Sequence, residues 1–462
     1  MSPVPAALRR PQLTPFLTGL IGWSCAAAVS AQGLPELARL ALASDPAVAG
    51  AAAQVRAAEH RVTQAKASFG PTANLTLSAT ETRYEEAPNF DLRPFRSKQA
   101  TLQVTQPLWR GALFPALYAS RSQLLAAHSA LAQAQSEALQ RLVEAAFEVL
   151  KSRDALDLVG SQQVQGGQQL RAARRAFQVG TVAVTDVRDA EAKADTVAAQ
   201  AVSVEAELAM RVQILQELVG QPTPGWLGRG LDGTQLPTLD PSLIALWLSL
   251  ANTDNPQIAQ ARQTLEAAEA EIRKASLAHA PSAELSYNWS QTSDTGTITS
   301  VFPRAGVTSA VGVTFTVPLF ASGGTEARVK ESVAQRDKVQ ADLDAARRSV
   351  SLAVRQAFSG ALSSIAHARS LETVVRSQEV ALRANRRGYE VGTKVNLEVL
   401  DSQTKLFEAQ RDLSRARYDA WNNYLKLKSH TGQLGHGDFE TLDGLMITAI
   451  TPSLITPRRA AP

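Results

Sequence analysis

Residues 389–401 read YEVGTKVNLEVLD, a short Gly-Thr turn that interrupts a very long helical pattern. Glycine ends helices readily because it tolerates the left-handed backbone that a sharp helix terminus needs. Two carboxylates, Glu398 and Asp401, follow the turn three residues apart, which puts them on one face of the next helix. The stretch therefore predicts a helix–turn–helix joint with an acidic face beside the turn.

The joint occurs twice, because landmarks recur along the chain at a spacing of 210 to 212 residues. Residues 177–181, FQVGT, correspond to residues 389–393, YEVGT. Three more pairs recur in the same order: Asp45-Pro46 with Asn255-Pro256, FGPTANL at 69–75 with HAPSAEL at 279–285, and TQPLW at 105–109 with TVPLF at 316–320. The chain is therefore read as two repeats of one structural unit.

Each repeat predicts a helix, two strands, a very long helix, the turn and another helix. A helix is expected from about Pro46 to Ala67, and the first long helix over 112–178 spans about 100 Å at 1.5 Å per residue. This long helix is expected to be continuous through Gly160, Gly166 and Gly167, because their counterparts Glu372, Gln378 and Glu379 lie in an unbroken helical pattern.

In four segments apolar residues recur at every second position, a spacing that is typical of strands. The predicted strands are 75–84, 98–105, 285–290 and 311–317, with polar loops over 85–97 and 291–306.

The N-terminus predicts export. Arg9 and Arg10 precede an apolar run over 16–29 that ends in small residues, as in a cleaved signal peptide, and the run is too short to span a bilayer. Cys25, the chain's one cysteine, lies in this segment, so stability must come from packing or assembly; lipidation of Cys25 is not expected, since Gly22 replaces the usual Leu. The predicted boundaries are 1–31 signal peptide, 32–220 first repeat, 221–241 Pro/Gly-rich connector, 242–433 second repeat and 434–462 C-terminal extension.

Charge and composition argue against nucleic-acid binding and catalysis. The net charge of +4 comes from arginines in the signal segment and the Pro-rich tail, and the rest is balanced, so no nucleic-acid footprint is present. The six histidines are scattered, and no metal, cofactor or catalytic residue is predicted. Residues 228–233 match GxGxxG, but no predicted strand precedes them and no helix follows, so they are interpreted as linker.

The strands constrain the assembly. Four strands cannot close a barrel, and lipid does not tolerate open strand edges. Their length and alternation suit a membrane barrel, which then needs several chains; three chains would supply twelve strands. The long Ala-rich helices likewise need helical neighbours, as in a coiled-coil wall. The alternative is a small soluble sheet on a periplasmic coiled-coil scaffold.

The order of elements, the duplication and residues 388–393, GYEVGT, followed by Leu400-Asp401 resemble the TolC family of outer-membrane channel-tunnels over about residues 32–435. The resemblance implies a mixed α+β membrane protein: a homotrimer whose twelve-stranded β-barrel, four strands per chain, lies in outer-membrane lipid and continues into a periplasmic α-helical coiled-coil barrel. It also implies a periplasmic adaptor protein, an inner-membrane ABC transporter or proton-driven pump, and an exported cargo.

The resemblance also assigns residues to a gate. Tyr389 matches the family's tyrosine and Lys394 stands where an arginine is usual; both would engage Asp186 across neighbouring coiled coils as a latch. Glu398 and Asp401 match acidic positions that line the pore constriction, so a trimer would form a ring of six carboxylates. Solvated charges and simple N-terminal helix preference remain alternatives. The turns are hypothesised to contact the adaptor through Gly180, Thr181, Gly392 and Thr393.

The function expected from these observations is a passive outer-membrane duct for a protein substrate in type I secretion. Drug or small-molecule efflux is one alternative, and the soluble periplasmic scaffold is another.

Overall fold

The computed structural model describes residues 33–83, 94–222, 229–231, 235–296 and 302–448. The predicted signal peptide, Cys25 and most of the predicted 85–97 loop lie outside the described residues. The helices are α1 (Leu34–Ser44), α2 (Pro46–Ala67), α3 (Leu113–Gln178), α4 (Val184–Val219), α5 (Ile244–Asp254), α6 (Pro256–Ser276), α7 (Gly324–Glu390), α8 (Asn396–His430) and α9 (His436–Gly444). The strands are β1 (Thr72–Thr82), β2 (Phe95–Arg110), β3 (Arg229–Leu231), β4 (Ser282–Asp294), β5 (Arg304–Thr316) and β6 (Met446–Thr448).

The recurring Asp/Asn-Pro pairs start helices α2 and α6. The Asp45 carboxylate accepts two backbone N–H groups of α2 at 2.8 and 3.2 Å, and Asn255 does the same for α6 at 2.9 and 3.2 Å. Pro46 and Pro256 occupy the first helical positions, where the missing N–H costs nothing. The predicted helix over Pro46–Ala67 is therefore confirmed, and its start has a local chemical cause.

The two long helices are continuous. α3 has 66 residues and α7 has 67, about 100 Å each. Gly160, Gly166 and Gly167 lie inside α3 without a break, as predicted. α2 and α4 pack along α3, and α6 and α8 pack along α7, while α3 also contacts α6 and α8. Within the described residues, no helix combines the length and apolar character needed to cross a bilayer.

The larger sheet within the described residues is antiparallel with the strand order β1-β2-β4-β5. Its strands outrun their predicted limits: Phe95–Ser97, Gln291–Asp294 and Arg304–Gly306, predicted as loop, belong to strands. These loop predictions were wrong because ladder pairing continues where the apolar alternation has faded, as at Ser97 opposite Asp294. In the other direction, β5 ends at Thr316, one residue short of the predicted end.

The structure also contains elements that the sequence analysis missed. β3 pairs with β6, so residues 229–231 form a strand, and the linker interpretation of residues 228–233 was wrong for them. α1, α5 and α9 were not predicted either. These pieces are short and find their partners far along the chain, which leaves little local periodicity to detect.

A hydrophobic core joins these pieces to the long helices. It includes Leu34 and Leu37 of α1, Phe147 of α3, Tyr418 of α8 and Phe439 of α9, all nearly inaccessible to solvent. The rings of Phe147 and Tyr418 lie 5.7 Å apart between centroids, within the usual range for aromatic pairs. The segment after the second repeat thus closes the core of the helical region.

Candidate functional site at the helical tips

Two turns of identical geometry end the long helical hairpins. The first tip (176–189) joins α3 to α4, and the second tip (388–401) joins α7 to α8. Gly180 and Gly392 both have φ of 77°, a left-handed conformation that favours glycine. The next residue, Thr181 or Thr393, donates its backbone N–H to the carbonyl five residues earlier, at 3.0 and 2.9 Å. Its hydroxyl donates to the same carbonyl at 2.9 and 3.0 Å, so the Val-Gly-Thr motif closes each helix.

The second tip differs from the first because Lys394 lies over Gly388. A Cβ at Gly388 would stand 2.6 Å from Cγ of Lys394, closer than atoms can approach. The Lys394 backbone N–H also donates to the Gly388 carbonyl at 3.2 Å. The first tip has Ala176 and Val182 at these two positions. The absence of a side chain at Gly388 therefore leaves room for the aliphatic part of the Lys394 side chain. Sequence analysis did not identify this role.

Asp186 and Glu398 are equivalent residues with different partners. Each is the third residue of its helix, α4 or α8. Asp186 accepts the backbone N–H of Ala183 at 3.3 Å, a helix-capping contact. Glu398 instead accepts a hydrogen bond from the ammonium of Lys394, four residues before it. The i,i+4 spacing of this pair was visible in the sequence and was overlooked.

Asp401 has a partner on its own helix as well. Its carboxylate lies 2.8 Å from Nζ of Lys405, and the hydrogen bond to Asp401 raises the pKa of Lys405. Side chains in this pair and in the Lys394–Glu398 pair are 41 to 59% exposed. Exposed pairs contribute about 0–1 kcal/mol each, so both can exchange partners easily.

The structure thus places four of the predicted gate residues on one tip and Asp186 on the other. Tyr389, Lys394, Glu398 and Asp401 belong to the second tip. The latch between this group and Asp186 of a neighbouring chain stays a prediction, and so does the carboxylate ring. In the part of the chain described, no group of three or more His, Cys, Asp or Glu side chains is placed to hold a metal ion.

Amide side chains join the two hairpins above the tips. Gln169 of α3 donates to Oδ1 of Asn396 at 2.7 Å, and Gln403 of α8 donates to Gln165 of α3. Asn396 and Gln403 are buried, and buried amides need such partners. A neutral hydrogen bond contributes about 0.5–1.5 kcal/mol net. These bridges hold α8 against α3 with modest energy. They could not be predicted from the sequence because glutamines are common on solvated helix faces.

The turns present apolar side chains to solvent. Val179 of the first tip is 74% exposed and Val391 of the second is 73% exposed. In the second tip, Val395 and Leu397 are also more than half exposed. The predicted contact residues Gly180, Thr181, Gly392 and Thr393 therefore lie beside an apolar patch on each tip.

Known proteins place this fold in a family. The model of the family described as outer membrane efflux protein matches residues 37–221 and 247–433, one segment in each repeat. The chain belongs to the outer membrane efflux protein family. Outer membrane protein TolC of Vibrio cholerae serotype O1 is 30% identical over 434 residues, which cover 92% of this chain and 95% of the relative.

Two further matches extend the comparison. Alkaline protease secretion protein AprF of Pseudomonas aeruginosa is 26% identical over 381 residues, covering 82% of this chain and 78% of the relative. The crystal structure of outer membrane protein VceC of Vibrio cholerae superposes with a TM-score of 0.70 at 20% identity, covering 86% of this chain and 96% of VceC. The resemblance to the TolC family and the internal duplication are confirmed.

The family assignment gives the location and the general role. The protein is an outer-membrane channel of efflux or secretion that extends into the periplasm, and its family consists of ducts, not enzymes. An outer-membrane location removes the alternative of a soluble periplasmic scaffold.

The fit between Gly388 and Lys394 can be tested by stability. Apart from Gly360 itself, its two neighbours and the adjacent backbone of α7, nothing in the described residues lies within 4 Å of a Cβ added at Gly360. Gly360→Ala should therefore stabilise α7 by about 0.5–1 kcal/mol, as alanine does in helices. Gly388→Ala should instead lower the guanidinium midpoint for loss of helical circular dichroism, because it displaces Lys394. Adding Lys394→Ala should restore the midpoint. A rise for Gly388→Ala equal to that for Gly360→Ala would contradict the packing argument.

Proposed function

We propose that three copies of this chain form a passive duct for a protein substrate in type I secretion. In this proposal an inner-membrane ABC transporter energises export and a periplasmic adaptor protein connects the transporter to the duct. The observation that carries the duct is the four-stranded sheet, whose two edges are unpaired within the described residues and which continues into helical hairpins about 100 Å long. Such a sheet needs other chains in lipid, and a closed ring of chains encloses a passage.

The choice of a protein substrate rests on a relative. AprF, which aligns with 82% of this chain, is named for the secretion of an alkaline protease. Efflux of drugs or other small molecules with a proton-driven pump is the second candidate, and the description of the family as efflux proteins favours it. Both candidates use the same passive duct, so they differ in the transporter and the cargo.

The latch assigned by the resemblance to the TolC family is compatible with the hydrogen-bonding capacity of lysine. The ammonium of Lys394 has three donors, so it can keep Glu398 and also reach Asp186 of a neighbouring chain, beside Tyr389. Lysine cannot form the two parallel bonds of arginine, and each exposed pair contributes about 0–1 kcal/mol. Three such contacts around the ring would hold the periplasmic end closed and still allow a partner to open it.

The apolar tips suit the proposed adaptor. Val179 and Val391 stand next to the Gly-Thr turns and are among the most exposed aliphatic side chains of the helical region. A protein that covers them removes apolar surface from water, which is favourable at about 25 cal/mol per Å². The same contact would act directly on the turn that holds Lys394.

Removing the latch should open the duct. In planar bilayers, Asp186→Ala and Lys394→Ala should each raise single-channel conductance, because the tips lose a contact that keeps them together. The matched control is Lys330→Ala, which breaks the exposed pair between Lys330 and Glu326 near the start of α7. Unchanged conductance in both latch variants would remove the latch from the account.

Neutralising the proposed ring should change ion selectivity. Asp401→Asn and Glu398→Gln should reduce the preference for cations and the block by trivalent cations, since a carboxylate ring concentrates cations. Asp189→Asn, the equivalent of Asp401 in the first repeat, is the control with the same charge change and should have little effect. Wild-type selectivity in the Glu398 and Asp401 variants would show that these residues do not form the constriction.

Loss of the gene separates secretion from efflux. In the native host, deletion should abolish export of a protein to the medium, and the wild-type gene, but not an empty vector, should restore it. Susceptibility to toxic small molecules should stay at the wild-type level. Normal protein export with increased susceptibility would replace the secretion proposal by the efflux candidate.

A further inference from the structure

One face of the four-stranded sheet is apolar, and the other is polar. Alternate residues of a strand point to opposite sides of a sheet, and paired residues share a side. Leu75 of β1 pairs with Leu102 of β2, which pairs with Trp289 of β4. One residue along, Gln103 pairs with Asn288 and belongs to the other face. The face of Leu102 is therefore the one that meets lipid in the proposed duct.

Charged residues replace the apolar ones on this lipid face towards the loop end of the sheet. On β2 the lipid face changes from Leu102 and Ala100 to Lys98 and Arg96. Arg96 pairs with Glu81 of β1. The outer basic zone is defined as Arg83, Arg96 and Lys98 together with Glu81, and all four residues are exposed.

The length of β2 places the outer basic zone at the outer surface of the membrane. Lys98 stands eleven residues before Trp109, an exposed aromatic residue at the end of β2 that leads into α3. At about 3.3 Å per residue and a tilt of about 40°, the two residues are about 28 Å apart along the membrane normal, close to the apolar band of about 25 Å. The helices extend into the periplasm, so Trp109 stands at the periplasmic boundary and Lys98 at the outer one.

The outer basic zone has more positive than negative charge. Nε of Arg83 donates to the Glu81 carboxylate at 2.7 Å, and Nε of Arg96 donates to it at 3.2 Å. One carboxylate thus serves two arginines, and within the described residues no carboxylate lies at ion-pair distance from Lys98. Excess positive charge at a membrane surface attracts anionic lipid headgroups.

A groove of about 380 Å³ lies beside Lys98 and crosses β1, β2 and β4. Six of its eight lining residues belong to the lipid face. These six are Leu77, Ala79, Lys98, Ala100, Gln291 and Ser293. Leu77 and Ala100 pair and continue the apolar band, whereas Lys98 and Ser293 pair one step further out. The groove therefore combines apolar walls with a cation, an amide and a hydroxyl.

We propose that the groove and the outer basic zone bind a phosphate-bearing glycolipid of the outer leaflet. Lys98 and Arg96 form charge-assisted hydrogen bonds with its phosphate groups, as ammonium and guanidinium groups do. The amide of Gln291 and the hydroxyl of Ser293 donate to sugar or phosphate oxygens. One acyl chain lies along Leu77. The inference rests on the proposed duct, in which this face meets lipid.

The apolar walls indicate a lipid, and the height of the groove indicates the leaflet. Inorganic phosphate could pair with Lys98, but it has no apolar part to fill the groove beside Leu77. Headgroups of the inner leaflet lie at the opposite boundary, near Trp109. Lipid A, the phosphorylated glycolipid of outer leaflets, brings phosphates and acyl chains together at the height of Lys98.

Native mass spectrometry of the full-length protein in detergent, titrated with diphosphorylated lipid A, tests the inference. Lys98→Gln and Arg96→Gln should each weaken the apparent affinity about fivefold, since each removes one cation from the headgroup. Lys98→Arg should bind like the wild type because it keeps the charge. Lipid A stripped of its phosphates should bind the wild type less tightly and should not respond to these variants.

Arg304→Gln is the matched control. Arg304 pairs with Asp294, which pairs with Ser97, so Arg304 stands at the same end of the sheet but on the polar face. The replacement removes the same charge at the same height and should leave the affinity for lipid A unchanged. Inorganic phosphate at the concentration of the lipid should not displace lipid A.

Equal affinity of the wild type, Lys98→Gln and Arg96→Gln would overturn the lipid site, and so would an equal loss in Arg304→Gln. Equally tight binding of phosphatidylglycerol, an anionic phospholipid, would overturn the assignment to the glycolipid. The same spectra give the number of chains. A trimer without these differences would overturn the lipid site alone, whereas a monomer would contradict the proposed duct.

Discussion

An unpaired strand edge in lipid is the constraint on which the rest of this structure depends. Each backbone group without a hydrogen-bond partner in the hydrocarbon costs several kcal/mol, so a sheet ending in β1 and β5 must meet other strands. The duplication makes this possible with one sequence. The β1–β2 and β4–β5 hairpins have equivalent registers, since Thr72 pairs with Thr105 and the corresponding Ser282 pairs with Thr316. The internal duplication therefore gives each chain two equivalent hairpins with which to assemble.

The same duplication shows how the second tip, where the gate is proposed, differs from the first. Each tip closes its long helix with an equivalent glycine and threonine. Because both repeats have this turn, the turn itself serves the fold and does not distinguish the two tips. The proposed gate depends on the differences, above all on Lys394 packed against Gly388, where the first repeat has Val182 and Ala176. The exposed pairs of Lys394 and Asp401 and the neutral amide bridges to α3 are weak individually. In the proposed gate, a tip held by such weak contacts would open without disturbing the apolar core around Phe147 and Tyr418.

Sequence reasoning succeeded where a local rule decides the structure. The helix start at Pro46, the Val-Gly-Thr turns and the periodicity of the long helices can each be recognised from a few neighbouring residues. Comparison of the two repeats showed that the glycines within α3 do not interrupt it. It failed where the partner is remote: β3 with β6, α9 in the core, and Gln169 with Asn396. At the second tip, sequence analysis identified the charged residues but not the role of Gly388. The absence of a side chain at Gly388 matters only because Lys394 packs against it, and that contact cannot be seen in the sequence.

A cryo-electron microscopy structure of the protein in lipid nanodiscs would show directly whether the β1 and β5 edges meet strands of other chains. We expect three chains around one axis, a continuous twelve-stranded barrel with hydrogen bonds between β5 and the neighbouring β1, and helices that taper to the Lys394 tips. A different number of chains, or a sheet whose β1 and β5 edges stay unpaired in lipid, would contradict it.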